Sequence, residues 1–327
     1  MRSATRISLV TAIFIILCMA HITGAADFPA RPITLINPSS PGGMHDILGR
    51  IWCAVAKKHL GQPVVITNRP GGGGWQGFVD VKGARPDGYT LLVSTNAHAY
   101  REQWGLLTGK PVPVNQVEEF ETLGLMNMSP NIFIVRDDSP WKSLHDLVAE
   151  CKAKPNQFIY GAYAYNTTHY PILVLTDITG IEARPVFYIG GGPVINALLG
   201  GHIHFAAQFP ASVVPLVQGK KIRALAVTAE KRLPSLPDVP TCKELGYEVV
   251  AGQGVGIFSP KKTPEGIIRK LRDVQQKVVA DKEFIAMVEK VGESVNPMTP
   301  DEFYIEYDRI SKVAYKLFQK EAAKIKK

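Results

Sequence analysis

Short apolar runs alternate with amphipathic stretches along most of the 327-residue chain. The run ITLINP at 33 to 38 is rich in β-formers, SSPGG breaks it, and the helical stretch HDILGRIWCAVAKKHLG follows. The same order recurs with VVITN (64 to 68), a glycine turn and WQGFVDVKGA, and again with YTLLVST (89 to 95) and NAHAYREQWGLL. Further on, NIFIVR, QFIYGA, PVFYI, HFAAQF, IRALAVT and GVGIFS read as strands, with SLHDLVAECKAK and PVINALLGG as helical or turn material between them. Strands alternating with helices predict an α/β architecture with mainly parallel sheets. The end of the chain differs, because IIRKLRDVQQKVV and DEFYIEYDRISKVAYKLFQKEAAKIKK place apolar residues at three-and-four spacing and so predict long amphipathic helices. No internal repeat is visible, and no low-complexity tract beyond short glycine runs.

The first residues do not fit this rhythm. Arg2 and Arg6 precede an apolar run from Ile7 to Ala20, and small residues then lead to Ala25 and Ala26. This predicts a secretory signal peptide cleaved after Ala26, since crossing a bilayer as a helix takes about 20 apolar residues. Leu17 before Cys18 argues against a lipoprotein. The expected mature chain, Asp27 to Lys327, is long enough for two domains, and no other stretch is apolar enough to span a membrane.

Charge and cysteines narrow the classes. Losing Arg2 and Arg6 lowers the net charge from +8 to +6, leaving a basic protein that attracts anions. Nucleic acid is not an expected partner, because the chain is exported and has no basic run interleaved with aromatics. Cys53, Cys151 and Cys242 remain, an odd count that excludes a full disulfide framework and leaves room for one bond. None lies in a C-x-x-C pair, so zinc and thiol redox chemistry have no support.

Gly72, Gly74 and Gly77 in NRPGGGGWQG match the G-x-G-x-x-G spacing of dinucleotide-binding turns. The context does not fit: Arg69 and Pro70 separate strand from glycines, and Ala97 stands where a ribose-binding acid belongs. A cofactor is therefore not expected. Three strand-to-helix junctions are instead rich in small residues: PSSPGG (38 to 43), RPGGGG (69 to 74) and YIGGGP (188 to 193). Each is expected to leave backbone N–H groups uncovered at a helix N-terminus, where the helix dipole favours an anion and glycine lets it approach. A tight turn that binds nothing is the competing reading for each.

The runs RPITLINPSSPGGMHDILGR, GQPVVITNRPGGGG, RPDGYTLL, YIGGGPVINALLGGHIHF, IRALAVTAEKRLPSLPDVPTCKELGY and GIFSPKKTPEGIIRKL occur in that order over nearly the whole mature chain. Together they resemble the extracytoplasmic solute receptors of the tripartite tricarboxylate transporter family, the Bug receptors. The resemblance implies a type II periplasmic binding-protein fold, with two α/β lobes around a ligand cleft. Residues 27–128 plus 230–327 would form one lobe and 129–229 the other, with the C-terminal helices packed back on the first. It further implies a monomeric periplasmic receptor that grips a small carboxylate by hinge closure and hands it to the membrane subunits of a transporter.

Carried over by position, the first-lobe contribution is Ser39, Ser40, Gly42 and Gly43, with Asp46 one helical turn on. Thr95 and Asn96, after the third strand, would line the same wall. In the second lobe the hydroxyl-bearing helix start falls on Asn166, Thr167, Thr168 and His169. The glycine turn falls on Gly190, Gly191, Gly192 and Pro193, with Asn196 just inside the helix, and Gln208 follows a strand. A plain cap or turn role competes for each side chain, and for Asp46 stabilisation of its own helix competes.

Several positions depart from the family pattern. Tyr163 and Tyr165 stand where small residues are usual and would either narrow the cleft or stack against an aromatic ligand. Gln253 and Gly254 replace a customary tryptophan, and His204 replaces an acid. His202 and His204 alternate in an expected strand, but two histidines without a nearby Cys, Asp or Glu make a poor metal site. His45, beside the carboxylate turn, would add a donor when protonated. A secreted enzyme is the rival class, yet Ser39, Ser40 and His45 come without a G-x-S-x-G elbow. A receptor that presents ligand to a sensor uses the same fold and stays open as an alternative.

Overall fold

The computed structural model of the chain describes residues 28–39, 41–71, 75–188 and 191–325, the side chains of 324 and 325 excepted. The leader with its expected cleavage after Ala26, and Ser40, Gly72, Gly74 and Gly190, lie outside the described residues.

The first part of the chain runs β1 (Ile33–Asn37), α1 (Met44–Leu60), β2 (Val64–Asn68), α2 (Gln76–Lys82), β3 (Thr90–Thr95) and α3 (His98–Thr108). A single helical turn, α4 (Gln116–Glu119), leads into β4 (Phe120–Leu125), and β5 (Ser129–Pro130) lies on the way to the second lobe. That lobe runs β6 (Ile132–Arg136), α5 (Leu144–Ala153), β7 (Ile159–Ala162), α6 (Tyr170–Thr179), β8 (Arg184–Phe187), α7 (Gly191–Leu199), β9 (Phe205–Gln208), α8 (Pro210–Gln218) and β10 (Ile222–Val227). The return passes through β11 (Gly252–Gln253) to β12 (Val255–Pro260), followed by α9 (Glu265–Ala280), α10 (Lys282–Lys290) and α11 (Pro300–Ile325).

Each lobe is built on one five-stranded sheet, ordered β2-β1-β3-β12-β4 in the first and β10-β6-β9-β7-β8 in the second. The expectation of mainly parallel sheets needs correction, because both are mixed. In the first sheet β12 runs antiparallel to β3 and β4, and in the second β6 runs antiparallel to β9 and β10. Each reversed strand is the first full strand after a crossing, so the chain enters that sheet from the hinge end instead of through a crossover helix. Apolar runs alone do not carry this direction. Where the two crossings meet, β5 and β11 pair as a two-stranded antiparallel ribbon.

The inner strands of both five-stranded sheets are buried on both faces, which is why they read as unbroken apolar runs, whereas the edge strand β8 is exposed. On one face of the first sheet lie Leu48, Trp52 and Val55 of α1 with Leu271 and Val274 of α9; on the other lie Phe78, Tyr100, Phe303 and Phe318. Burying each such side chain stabilises the fold by about 1.5–3 kcal/mol. Trp52 also donates its indole N–H to Gln275 Oε1 at 2.6 Å, which ties α1 to α9 across the core. In the second lobe Ser143 and Asp146 close a reciprocal capping box on α5. Cys53, Cys151 and Cys242 are all buried and free, so the one bond left open by the sequence is not formed among them.

A bilobal binding cleft

A cavity of about 320 Å³ lies between the lobes. Its first-lobe wall is made by the segment after β1 (Pro38, Ser39), the first turn of α1 (His45), Thr95 at the end of β3 and the start of α3 (Ala97, His98, Arg101). Facing them are the β7–α6 loop (Tyr163, Asn166, Thr167, Thr168), Gly191 at the head of α7, and Gln208 with Phe209 at the end of β9. Gln253 of the hinge ribbon joins the lining. All these positions are strand ends or helix starts, where a parallel α/β lobe presents its loops on one edge.

Of the positions expected from sequence, Ser39, His45, Thr95, Thr167, Thr168, Gly191 and Gln208 come together here, as does Asn166. Gly42, Gly43, Asp46, Asn96, Gly192 and Pro193 are not among the lining residues, and Ser40 and Gly190 lie outside the described ones. Of the junction at 69 to 74, Arg69 and Pro70 border a separate cavity with Asp80, and 72–74 lie outside the described residues. Gly77, the third glycine of the fingerprint, serves packing instead: a Cβ there would lie 2.8 Å from Pro38 Cα.

The expectation of uncovered amides in the first-lobe turn holds less widely than the glycine content suggests. Ser39 N–H donates to Asn37 Oδ1 at 3.0 Å, and Gly42 N–H donates to Asp46 Oδ2 at 3.0 Å. Asp46 accepts further from Arg50 Nε (3.0 Å) and from Asn68 Nδ2 (3.0 Å, at Oδ1). Its hydrogen bond to Arg50, with those to Gly42 and Asn68, outweighs the cost of burial and holds the carboxyl well below its usual range. Asp46 is thus a buttress that shapes the turn. Asn96 has a comparable part at the hinge: its side-chain oxygen accepts Gly254 N–H at 2.9 Å.

The second-lobe wall keeps its polar groups turned inward. Thr168 Oγ1 accepts Tyr163 N–H at 2.9 Å, which fixes the hydroxyl at the cleft edge. His169 is fully buried behind it: Nδ1 accepts Tyr165 N–H at 3.1 Å, so the proton on Nε2 points to Tyr160 Oη at 2.9 Å. Enclosure pushes that imidazole down to about 3. Gly191 lets Gln208 approach closely, since an added Cβ would stand 2.7 Å from Gln208 Oε1 and displace that side chain. Gln208 is 1% exposed, and its Nε2 has no hydrogen-bond partner among the described residues.

Three charged or titratable lining groups stand in the first lobe. Arg101 lays its guanidinium over the Trp75 ring, 4.5 Å from the centroid, and burial lowers its pKa from the ordinary value. His98, whose ring packs 3.8 Å from that of Phe78, is pushed down by burial and then by Arg101 and His45. His45 would add a donor when protonated, but burial pushes it down to about 4, so near neutral pH it is uncharged. Sequence reading missed Arg101 and His98. The available signal was their i, i+3 spacing in the first turn after Thr95 and Asn96, which puts both on one face.

Two further departures resolve differently. Tyr163 lines the cleft, 44% exposed, but Tyr165 does not: it stacks on Trp104 with ring centroids 3.4 Å apart. His202 and His204 lie in a turn before β9 and not in a strand, and His204 Nδ1 accepts Ile159 N–H at 3.0 Å. No group of three or more His, Cys, Asp or Glu among the described residues could hold a metal.

Two α/β lobes joined by paired crossings, with a small polar cleft between their strand ends, define a type II solute-binding protein. The tripartite tricarboxylate transporter family receptor model matches residues 49–316, and the chain belongs to that family. BugT of Bordetella pertussis (strain Tohama I) is 31% identical over 91% of this chain and 92% of its own. A TctC solute-binding protein from Polaromonas, solved without ligand, superposes with a TM-score of 0.79 at 27% identity, covering 90% of this chain and 99% of its own. MatC from Rhodopseudomonas palustris with bound malate gives a TM-score of 0.71 at 25% identity, covering 89% and 99%. The R. palustris protein Rpa4515 with adipate gives 0.71 at 26%, covering 91% and 99%. Family and neighbours are solute-binding proteins, not enzymes. The chain is accordingly a receptor of the periplasmic binding class.

Proposed function

We propose that the protein is exported, loses its leader after Ala26, and works as a monomer that captures a small organic carboxylate and delivers it to the membrane subunits of a tripartite tricarboxylate-type transporter. The charge of the cleft carries this reading. Arg101 lines it, and no Asp or Glu is among the described lining residues. The hydroxyl-bearing Thr167 and Thr168, with Gln208, line it from the other lobe and support the same reading. A cavity of about 320 Å³ is at the small end of ligand sites, in keeping with short acids of the kind held by the malate- and adipate-bound relatives.

In this reading the acid is gripped by Ser39, Ser40, His45, Thr95 and Arg101 of the first lobe and by Thr167, Thr168, Gly190, Gly191 and Gln208 of the second. Gly42, Gly43, Asp46, Asn96, Gly192 and Pro193 shape the turns that carry those groups. The lobes are 27–128 plus 230–327 and 129–229. Only a closed pair touches both ends of the ligand, so binding favours closure. An anion beside His45 would also draw its pKa back up.

A thermal-shift panel tests the reading. Malate, adipate and benzoate, with glucose and putrescine as neutral and cationic controls, are added to the mature protein and to Arg101→Gln. At least one acid should raise the melting temperature, and the variant should bind it about ten- to a hundredfold more weakly, the worth of one charge-assisted hydrogen bond. A shift with glucose or putrescine and none with the acids overturns the proposal.

A further inference from the structure

Two aromatic rings of the second lobe line the cleft without a ring partner among the described residues. Tyr163, 44% exposed, stands in the β7–α6 loop, and the half-buried Phe209 follows Gln208 at the start of α8. The rings around them are paired off. Tyr165 lies on Trp104, Phe187 meets both Tyr165 and His169, and in the first lobe Phe78 packs on His98 and Trp75. Tyr163 is held in place by its backbone, whose N–H donates to Thr168 Oγ1 at 2.9 Å. Its side chain lies near enough to Arg101 for the two to interact electrostatically, although they belong to different lobes. A solvated ring and a guanidinium thus stand close together in one small cavity.

Charge limits what else the ligand carries. Arg101 is the one Lys or Arg among the described lining residues, and burial holds His45 and His98 uncharged near neutral pH. A first carboxylate meets a fixed cation. A second one, enclosed in the same cleft, would go unmatched or would have to protonate a buried imidazole, and either is costly. The volume of about 320 Å³, at the low end for ligand sites, restricts the rest of the molecule to about one ring.

We propose that the ligand is an aromatic monocarboxylate, with its carboxylate on Arg101 and its ring stacked on Tyr163, and that Tyr163 with Phe209 sets this preference over aliphatic acids. The inference rests on the cleft being a carboxylate site and adds the chemical class of the acid. Of the two parts open to Tyr163, narrowing the cleft or stacking on a ligand, it assigns the second. A ring pair gains from its geometry beyond the area it buries, and an aliphatic chain against the same ring does not.

Isothermal titration calorimetry on the mature protein tests this with benzoate and 4-hydroxybenzoate against cyclohexanecarboxylate, which keeps size and charge but has no π face, and against adipate. At least one aromatic acid should bind about two- to tenfold more tightly than both aliphatic ones. Tyr163→Leu keeps apolar bulk at an exposed position and keeps the backbone N–H that Thr168 accepts, so its melting temperature without ligand should match wild type. That variant should lose the same two- to tenfold for the aromatic acid, with cyclohexanecarboxylate unchanged, and Tyr163→Phe should restore the preference. If cyclohexanecarboxylate or adipate binds as tightly as the aromatic acids, or if Tyr163→Leu leaves the preference as it was, this inference falls while the carboxylate site stands. If none of the four acids binds, both fall together.

Discussion

Arg101 and Glu102 are neighbours on α3, and a turn of about 100° between them sends one to the cleft and the other into the core. Glu102 is 4% exposed, and its Oε1 accepts Gln116 N–H at 2.8 Å. Burial pushes its carboxyl up from 4.5 to about 7. Below pH 4.5 the folded and unfolded chains both keep the proton. As pH rises through about 7 the unfolded chain releases it more readily, so stability falls, by about 2–3 kcal/mol between pH 5 and pH 8. Glu102→Gln keeps an acceptor for Gln116 and removes the titration. The variant should therefore gain on wild type by on the order of 5 °C more at pH 8 than at pH 5; equal differences at the two pH values would refute the assignment. Neither role was legible in the sequence. In NAHAYREQWGLL the two charges stand side by side, and only the packing of α3 separates their surroundings. Ser39, Thr95, Thr168 and Gln208 were reached through the family resemblance, which carried them over by position, and each sits at a strand end or helix start.

At the scale of elements, the pairing of α7 with β9 makes the second-lobe wall. The helix begins at Gly191 and the strand ends at Gln208, and the 2.7 Å between an added Cβ and Gln208 Oε1 leaves room for hydrogen only. Gly191→Val should push Gln208 out of its place and obstruct the α7 N-terminus, with ligand affinity falling by more than about tenfold and the far-UV circular dichroism unchanged. Normal affinity in that variant would remove the second-lobe turn from the site. Existence and type of most elements, β4, α6, α8 and α10 excepted, were readable from apolar period. The directions of β6 and β12 were not, because a buried strand has the same pattern whichever way it runs. The uncovered amides were over-read for a related reason: short polar side chains such as Asn37 and Asp46 occupy nearby N–H groups, and spacing does not reveal which.

Outside the cleft the lobes meet again along α11, which packs on α3 in the first lobe and touches α6 in the second. Lys320 of α11 pairs with Asp177 of α6. Tyr165, from the β7–α6 loop, lies flat on Trp104 of α3 at an interplanar angle of 6° and meets Phe318 of α11 edge-on. These contacts join the lobes without touching the cleft lining, so rotation that opens the cleft has to break them. A stacked pair is worth about 0.5–1.5 kcal/mol beyond its buried area, enough to change the ratio of closed to open forms by roughly two- to tenfold. Tyr165 holds φ at +50°, a left-handed value that asparagine tolerates, so Tyr165→Asn removes the ring with little backbone strain. Small-angle scattering should find the ligand-free variant with a larger radius of gyration than wild type, and saturating carboxylate should bring the two together. Apparent affinity should fall by the same factor as the closed population, since a binding-competent form that is rarer binds proportionally more weakly. If the ligand-free radii coincide and affinity is unchanged, the stack packs the surface without holding the lobes, and closure rests on the cleft and the hinge ribbon alone.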